Sequence, residues 1–257
     1  MNVLPTLSTR QWLNKVPEVM LLFWIIKMMS TTVGETAADY LNVDLGFGLV
    51  ETSVVMAILL VISLFFQISA RRYIPALYWI AVVFVSVLGT LITDNLTDNW
   101  AIPLSVSSTV FSIGLIVTFA LWYAREQTLS IHSINNLRRE LFYWVVILFT
   151  FALGTALGDW IAEGLSLGYI NAALLFGGLI AVTALAYYVF KVNSVLCFWI
   201  AYVLTRPFGA ACGDLLSQPA DHGGLGFGTT WVSALFLVTI VLLVVYLSLA
   251  QKAVSQE

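Results

Sequence analysis

The sequence predicts an all-α polytopic membrane protein, with eight transmembrane helices formed by four tandem two-helix repeats in a pseudo-fourfold arrangement. Three observations predict it. Of 257 residues, 60% are hydrophobic and only 10% charged, with a mean hydropathy of +0.95, whereas about a quarter of a soluble domain is charged. Apolar stretches close to the roughly 20 residues that cross a bilayer core recur along almost the whole chain. A Trp, a Gly and an Asp also recur at one fixed spacing in four places.

The spans are expected near 16–38, 49–70, 74–94, 102–124, 140–162, 169–190, 194–216 and 227–250. They leave little polypeptide for a soluble domain. Residues 1–257 therefore read as one membrane domain with repeats at about 16–70, 71–125, 138–190 and 192–251. Residues 1–15 carry no apolar core ending in a small-residue cleavage site, so the first span is expected to be its own insertion signal. The second and eighth spans follow matching sequences, Leu45-Gly46-Phe47-Gly48 and Leu225-Gly226-Phe227-Gly228. Arg125 to Glu140 is the longest polar connection and joins the two halves. Pro207 lies inside the seventh span, where a missing amide donor is expected to kink the helix.

Charge divides the chain into two faces. Arg10, Lys15, Arg71, Arg72, Arg125, Arg138, Arg139, Lys191 and Lys252 fall at the termini or in the even-to-odd connections. By the positive-inside rule these belong in the cytoplasm, with both termini there. Acids mark the other face: Glu35, Asp39, Asp44, Glu51, Asp94, Asp98, Asp159, Glu163, Asp214 and Asp221. A negative mouth of this kind concentrates cations and repels anions. Cys197 and Cys212 lie on one expected helix, roughly 22 Å apart at 1.5 Å per residue, too far to bridge.

The repeat is carried by Trp24, Gly34 and Asp39; Trp79, Gly89 and Asp94; Trp144, Gly154 and Asp159; and Trp199, Gly209 and Asp214. Chance would supply the spacing for roughly one Trp in five hundred, so its presence at four of the nine Trp residues means internal duplication. An aromatic residue precedes each of the four: Phe23, Tyr78, Tyr143 and Phe198. Two spans per repeat give all copies the same orientation, related by an axis along the membrane normal. Positions 0, 4, 7, 11, 14 and 15 after each Trp share one helix face. That face becomes more polar toward the Asp. It is expected to look into the bundle, because carboxylates and hydroxyls are costly against lipid. The Leu-, Val-, Ile- and Phe-rich even spans are expected outside it.

On these residues the chain, over 16–250, resembles a family of bacterial membrane proteins made of four tandem repeats, each with two transmembrane helices and a Trp, and of unknown function. The resemblance implies a bacterial inner-membrane location and no particular activity.

The residues themselves point to cation chemistry. Asp39, Asp94, Asp159 and Asp214, with Glu35 as a fifth acid, are the expected substrate- or ion-binding residues, since rings of carboxylates serve cation-selective sites. Glu35, Thr90, Thr93, Thr155, Asp98 and Glu163 are further oxygen donors nearby. Such oxygen suits Mn²⁺ or Mg²⁺, and the four aspartates are the expected metal ligands; with no His, Cys or Met cluster, copper and zinc are disfavoured. Lys27 and Arg206 break the repeat symmetry inside the spans and read as gating or counter-charges, or as cations neutralised by pairing, Arg206 with carboxylates of a neighbouring copy, to hold the bundle together. Trp24, Trp79, Trp144 and Trp199 form an aromatic layer, read first as packing and alternatively as a constriction facing a permeant cation. The glycines read as helix-contact positions, and His132 and His222 as solvated loop residues.

The expected function is a transporter or channel for small cations, a divalent metal such as manganese, or protons. The alternative is a non-transporting scaffold or sensor whose acids form internal structural pairs. No nucleophile and base pair marks an enzyme. Membrane lipid and a small cation are the expected partners, with no resident cofactor and no nucleic acid.

Overall fold

The computed structural model describes residues 14–254; Arg10, placed above with the basic face, lies outside them. The described residues form eight long helices and no strand: α1 Leu21–Asp39, α2 Leu49–Ser69, α3 Pro75–Asp94, α4 Leu104–Glu126, α5 Leu137–Asp159, α6 Tyr169–Tyr188, α7 Ser194–Ser217 and α8 Thr229–Val254. Seven of them, α2 to α8, are long and apolar enough to cross a membrane. The remaining one, α1, carries Lys27, Glu35 and Asp39 within its 19 residues. It begins at Leu21, not near residue 16, because Met20 is extended (φ −116°, ψ 175°) and Pro17 disfavours helical backbone in the residue before it. The segment before α1 is used differently. The Lys15 amide donates to the Ile134 carbonyl, and the Lys15 ammonium pairs with Glu140 at 2.7 Å.

Two classes of helix separate by burial. The apolar windows of α3, α5 and α7 are 67%, 67% and 56% buried, against 17–28% for α2, α4, α6 and α8. The even helices therefore turn most of their Leu, Val, Ile and Phe outward. The odd helices pack in a closed circuit, α1 on α3, α3 on α5, α5 on α7 and α7 on α1. Each even helix packs chiefly on the odd helix of the next repeat: α2 on α3, α4 on α5, α6 on α7, and α8 back on α1. Every repeat thus hands its second helix to its neighbour.

The repeated residues explain the circuit. Each conserved-spacing Gly meets the residue seven places after the Trp of the next repeat: Gly34 lies against Ser86, Gly89 against Phe151, Gly154 against Arg206 and Gly209 against Thr31. Any Cβ at these positions would collide. The aromatic residue before each Trp obeys the same rule, touching the following repeat's Trp: Phe23 with Trp79 at 5.7 Å, Tyr78 with Trp144 at 5.6 Å, Tyr143 with Trp199 at 6.2 Å and Phe198 with Trp24 at 5.7 Å between ring centroids. Tyr78 and Tyr143 also share a hydroxyl hydrogen bond. Offset and edge contacts of this sort add about 0.5–1.5 kcal/mol each beyond burial. The result is an aromatic plug toward the basic face.

Small residues are therefore a geometric requirement of the circuit. Gly209→Ala is expected to destabilise the protein by about 1–3 kcal/mol through overpacking against Thr31, measured by thermal unfolding in detergent. Gly178, whose Cβ position is open, is expected to tolerate Ala with little change.

Candidate functional site

Above the aromatic plug, the inward residues of the odd helices stack in layers. Eleven places after the Trp stand Glu35, Thr90, Thr155 and Ala210. Arg206, fully buried, rises from α7 into this layer and joins the other three repeats. Its Nη2 nitrogen stands 2.7 Å from Glu35 Oε2 and 2.7 Å from Thr155 Oγ1, with Thr90 Oγ1 at close range, so three acceptors share its two hydrogens. A longer contact at 3.4 Å reaches the Thr31 carbonyl. Gly154 supplies the room for the stem of Arg206, and Pro207 packs beside it against Gly154 and Gly158. α7 continues through Pro207 to Ser217.

One layer below lies Lys27, also fully buried. Its ammonium donates to Thr205 Oγ1 at 2.6 Å and to the Tyr202 carbonyl at 3.1 Å, with the Tyr202 and Phe151 ring centroids at 4.3 and 4.9 Å. Among the described residues no carboxylate pairs with it. The two symmetry-breaking cations thus have different surroundings: Arg206 is ion-paired, and Lys27 is held by neutral oxygens and aromatic faces.

One layer above Arg206 the acids gather. Oxygens of Glu35, Asp159 and Asp214 lie within 4.8 Å of one another. Among the described residues no protein donor hydrogen-bonds to Asp94, Asp159 or Asp214, although Asp94 is within Coulombic reach of Glu35, Asp39 and Arg206. Asp39 is turned to the side, accepting from Gln218 Nε2 at 3.3 Å. The four repeat-related aspartates therefore do not occupy four equivalent places. Two converge with Glu35, one is near them and one is tied to a neighbour.

Asp98 and Glu163 are exposed on the outer turns, where Glu163 accepts from the Tyr169 hydroxyl at 2.9 Å. Thr93 donates to the Gly89 and Ala152 carbonyls and so fastens α3 to α5. Trp79, Trp144 and Trp199 are buried and Trp24 half-buried, packed among the aromatics already described. His132 and His222 are exposed, and both cysteines are free. Sequence reasoning passed over Thr205 and Gln218, the partners of Lys27 and Asp39. Both lie on α7 or directly after it, and neither belongs to the repeated motif.

The backbone around the acids is unusual. In three repeats the Asp is the last α-helical residue before a single π-helical turn: Tyr40–Asp44, Asn95–Asn99 and Trp160–Gly164. Each turn is closed by an amide five residues on, from Leu45, Trp100 and Leu165 to the carbonyls of Tyr40, Asn95 and Trp160 at 2.9, 3.2 and 2.8 Å. Isolated π turns are rare and concentrate at functional sites. In the fourth repeat the equivalent bond runs from the Leu225 amide to the Leu215 carbonyl at 2.7 Å, ten residues back in place of five. The fourth repeat therefore replaces the π turn with a looped-out segment containing Pro219, Asp221 and His222. Gln218, the partner of Asp39, comes from this departure.

The model of one family, described as a repeat of unknown function (DUF347), matches the chain four times, at residues 22–73, 77–128, 142–193 and 197–253. The chain belongs to the DUF347 repeat family. No curated protein and no solved structure matches it. The four family matches each begin just before a Trp motif, so the family unit is one odd helix followed by one even helix. Such a unit cannot bury its inner face alone, which is the usual condition of tandem repeats.

The Arg206–Glu35 pair is expected to couple strongly. Glu35→Gln or Arg206→Met alone leaves an uncompensated buried charge and is expected to cost about 3–5 kcal/mol. The double variant is expected to lose clearly less than the sum, as read by denaturant unfolding in micelles; additive losses would show that the pair is not interacting.

Proposed function

We propose that this protein is a membrane transporter for small cations, with a divalent ion such as Mn²⁺ or Mg²⁺ as its substrate. The observation that carries the reading is the convergence of Glu35, Asp159 and Asp214 within 4.8 Å, near enough for small side-chain shifts to bring their oxygens around one hard cation. Asp94 stands by as a further acid, with Asp39 at the rim on Gln218. In this reading eight helices span the membrane, α1 included, with a pseudo-fourfold inner ring of odd helices and a lipid-facing outer set. The location is a bacterial inner membrane, with the basic connections and both termini cytoplasmic.

The charge arrangement favours a gated carrier over an open channel. Arg206 occupies Glu35 from beneath, and the aromatic plug closes the path toward the basic face. An ion that takes Glu35 must displace a resident cation. Exchange between a fixed cation and a mobile one at the same carboxylate gives the site two occupied states and no leak.

A second reading, a scaffold or sensor whose acids serve internal pairing, draws support from the same ion pair, since Glu35 has a good internal partner. It gives no role to Asp159 and Asp214, which have none among the described residues.

Asp159→Asn and Asp94→Asn are expected to abolish Mn²⁺ flux in reconstituted vesicles, at least tenfold, without unfolding the protein. Unchanged flux in both, with folding confirmed by circular dichroism, would remove the acids from the mechanism and favour the scaffold.

A further inference from the structure

Lys27 is the one buried cation that the acid cluster does not explain. The charged or titratable groups that face it are few. From α7 come Tyr202 and, one layer up, Arg206, whose charge acts on it; α5 contributes the Phe151 ring. On α3 the nearest titratable residue of the inward face toward the basic end is Tyr78, and α8 carries no charged residue before Lys252. Glu35 is already taken by Arg206. A lysine so placed, with a hydroxyl as its closest partner, has no fixed counter-charge to hold its proton.

A route leads to it. A cavity of about 440 Å³ runs between α1, α6 and α7, beginning at the basic face beside Ser130 and His132 and passing Trp24 and Cys197 to reach Met28 and Thr205. Its walls come from α1, α6, α7 and the segment 129–132. Thr205 is the residue that accepts from the Lys27 ammonium. The cavity thus ends on the hydroxyl that holds Lys27, while the acids lie on the other side of Arg206.

We propose that Lys27 is a proton-carrying site that exchanges with the basic face through Thr205 and this cavity, so that cation occupancy of the acid cluster alternates with protonation of Lys27. The inference rests on the transport reading above and makes cation binding at the acids release one proton from Lys27 at the basic face, to be taken up again there when the cation leaves. The step balances. The Thr205 hydroxyl, which donates to the Tyr202 carbonyl at 2.8 Å, turns from that carbonyl toward the cavity and gives its proton to water there as it takes one from the Lys27 ammonium; a neutral amine remains, and the reverse sequence restores the ammonium. The coupling is electrostatic. When an incoming cation claims Glu35, the charge of Arg206 loses its partner and bears more strongly on the Lys27 ammonium, favouring release of its proton. When the cation leaves, Glu35 again neutralises Arg206 and Lys27 recovers the proton.

The test uses the full chain in sealed vesicles, with Mn²⁺ uptake and internal pH followed together. Wild type is expected to release protons at the basic face as Mn²⁺ occupies the acids and to take them back as it leaves. Lys27→Met, and Lys27→Arg with a guanidinium that does not deprotonate, are expected to lose at least tenfold of the proton movement while Mn²⁺ binding by calorimetry persists. Thr205→Val is expected to slow proton movement and Thr205→Ser to restore it, which tests the route should the Lys27 variants fail to fold. In Cys212→Ala protein, a water-soluble maleimide supplied at the basic face is expected to label Cys197. Labelling only by a lipid-soluble reagent would mean that lipid fills the cavity and would overturn the route. Mn²⁺ flux whose proton movement is unchanged in both Lys27 variants overturns the Lys27 assignment alone. Absence of any Mn²⁺ flux in wild type overturns the transport reading, and this inference with it.

Discussion

The guanidinium of Arg206 is the interaction on which the interior depends. It starts on the fourth repeat and ends on one side chain from each of the other three: Glu35, Thr90 and Thr155. Close approach of the odd helices makes this reach possible, and that approach depends on glycines that seat the next helix. A charge so deeply buried is tolerable only when it is paired; Glu35 supplies the counter-charge, while Arg206 Nε is buried without a hydrogen-bond partner. The pair has a positional consequence as well. It sets a neutralised floor beneath the acids, so that Asp159 and Asp214 can gather above it without an unbroken column of negative charge running through the protein.

Four copies of one unit give a ring; chemistry appears where the copies differ. The first copy supplies Lys27 and Glu35, the fourth supplies Arg206, Pro207 and the looped segment that brings Gln218 to Asp39, and the two middle copies keep threonines and aspartates. Identical copies would have placed four like groups in every layer. In the charged layer that would mean four acids facing each other with nothing between them, which is unfavourable in a medium that hydrates no charge. The differences turn a repetitive shell into an asymmetric site with one cation under the acids and a second, differently held, below that.

Helix exchange between repeats has a mechanical meaning. Each even helix rests on the odd helix of the next repeat, so no repeat is closed on itself, and the last must return to the first. α8 on α1, Phe198 on Trp24 and Gly209 on Thr31 are the contacts that close the circuit. Their residues belong to the repeated motif, but local sequence does not show that these pairs meet, because they join the two ends of the chain.

Much of this was legible in the sequence because long apolar helices and duplication both leave periodic marks. Hydropathy located the helices, charge asymmetry separated the two faces, and the Trp, Gly and Asp spacing identified the inward face and the residues on it. The start of α1 was misplaced because Val16, Val19 and Met20 extend its apolar run, whereas Pro17 and the tie of Lys15 to Ile134 and Glu140 go with an extended backbone there. Periodicity proposed four equivalent aspartates; the tertiary structure decided that they are unequal, since Gln218 draws one aside and Arg206 selects Glu35 to join two others. Sequence determines which residues face inward, because that depends on angle along one helix. Which of them meet is decided only when four helices close around them, because a carboxylate's partner is whatever cation or amide the neighbouring copies bring within reach.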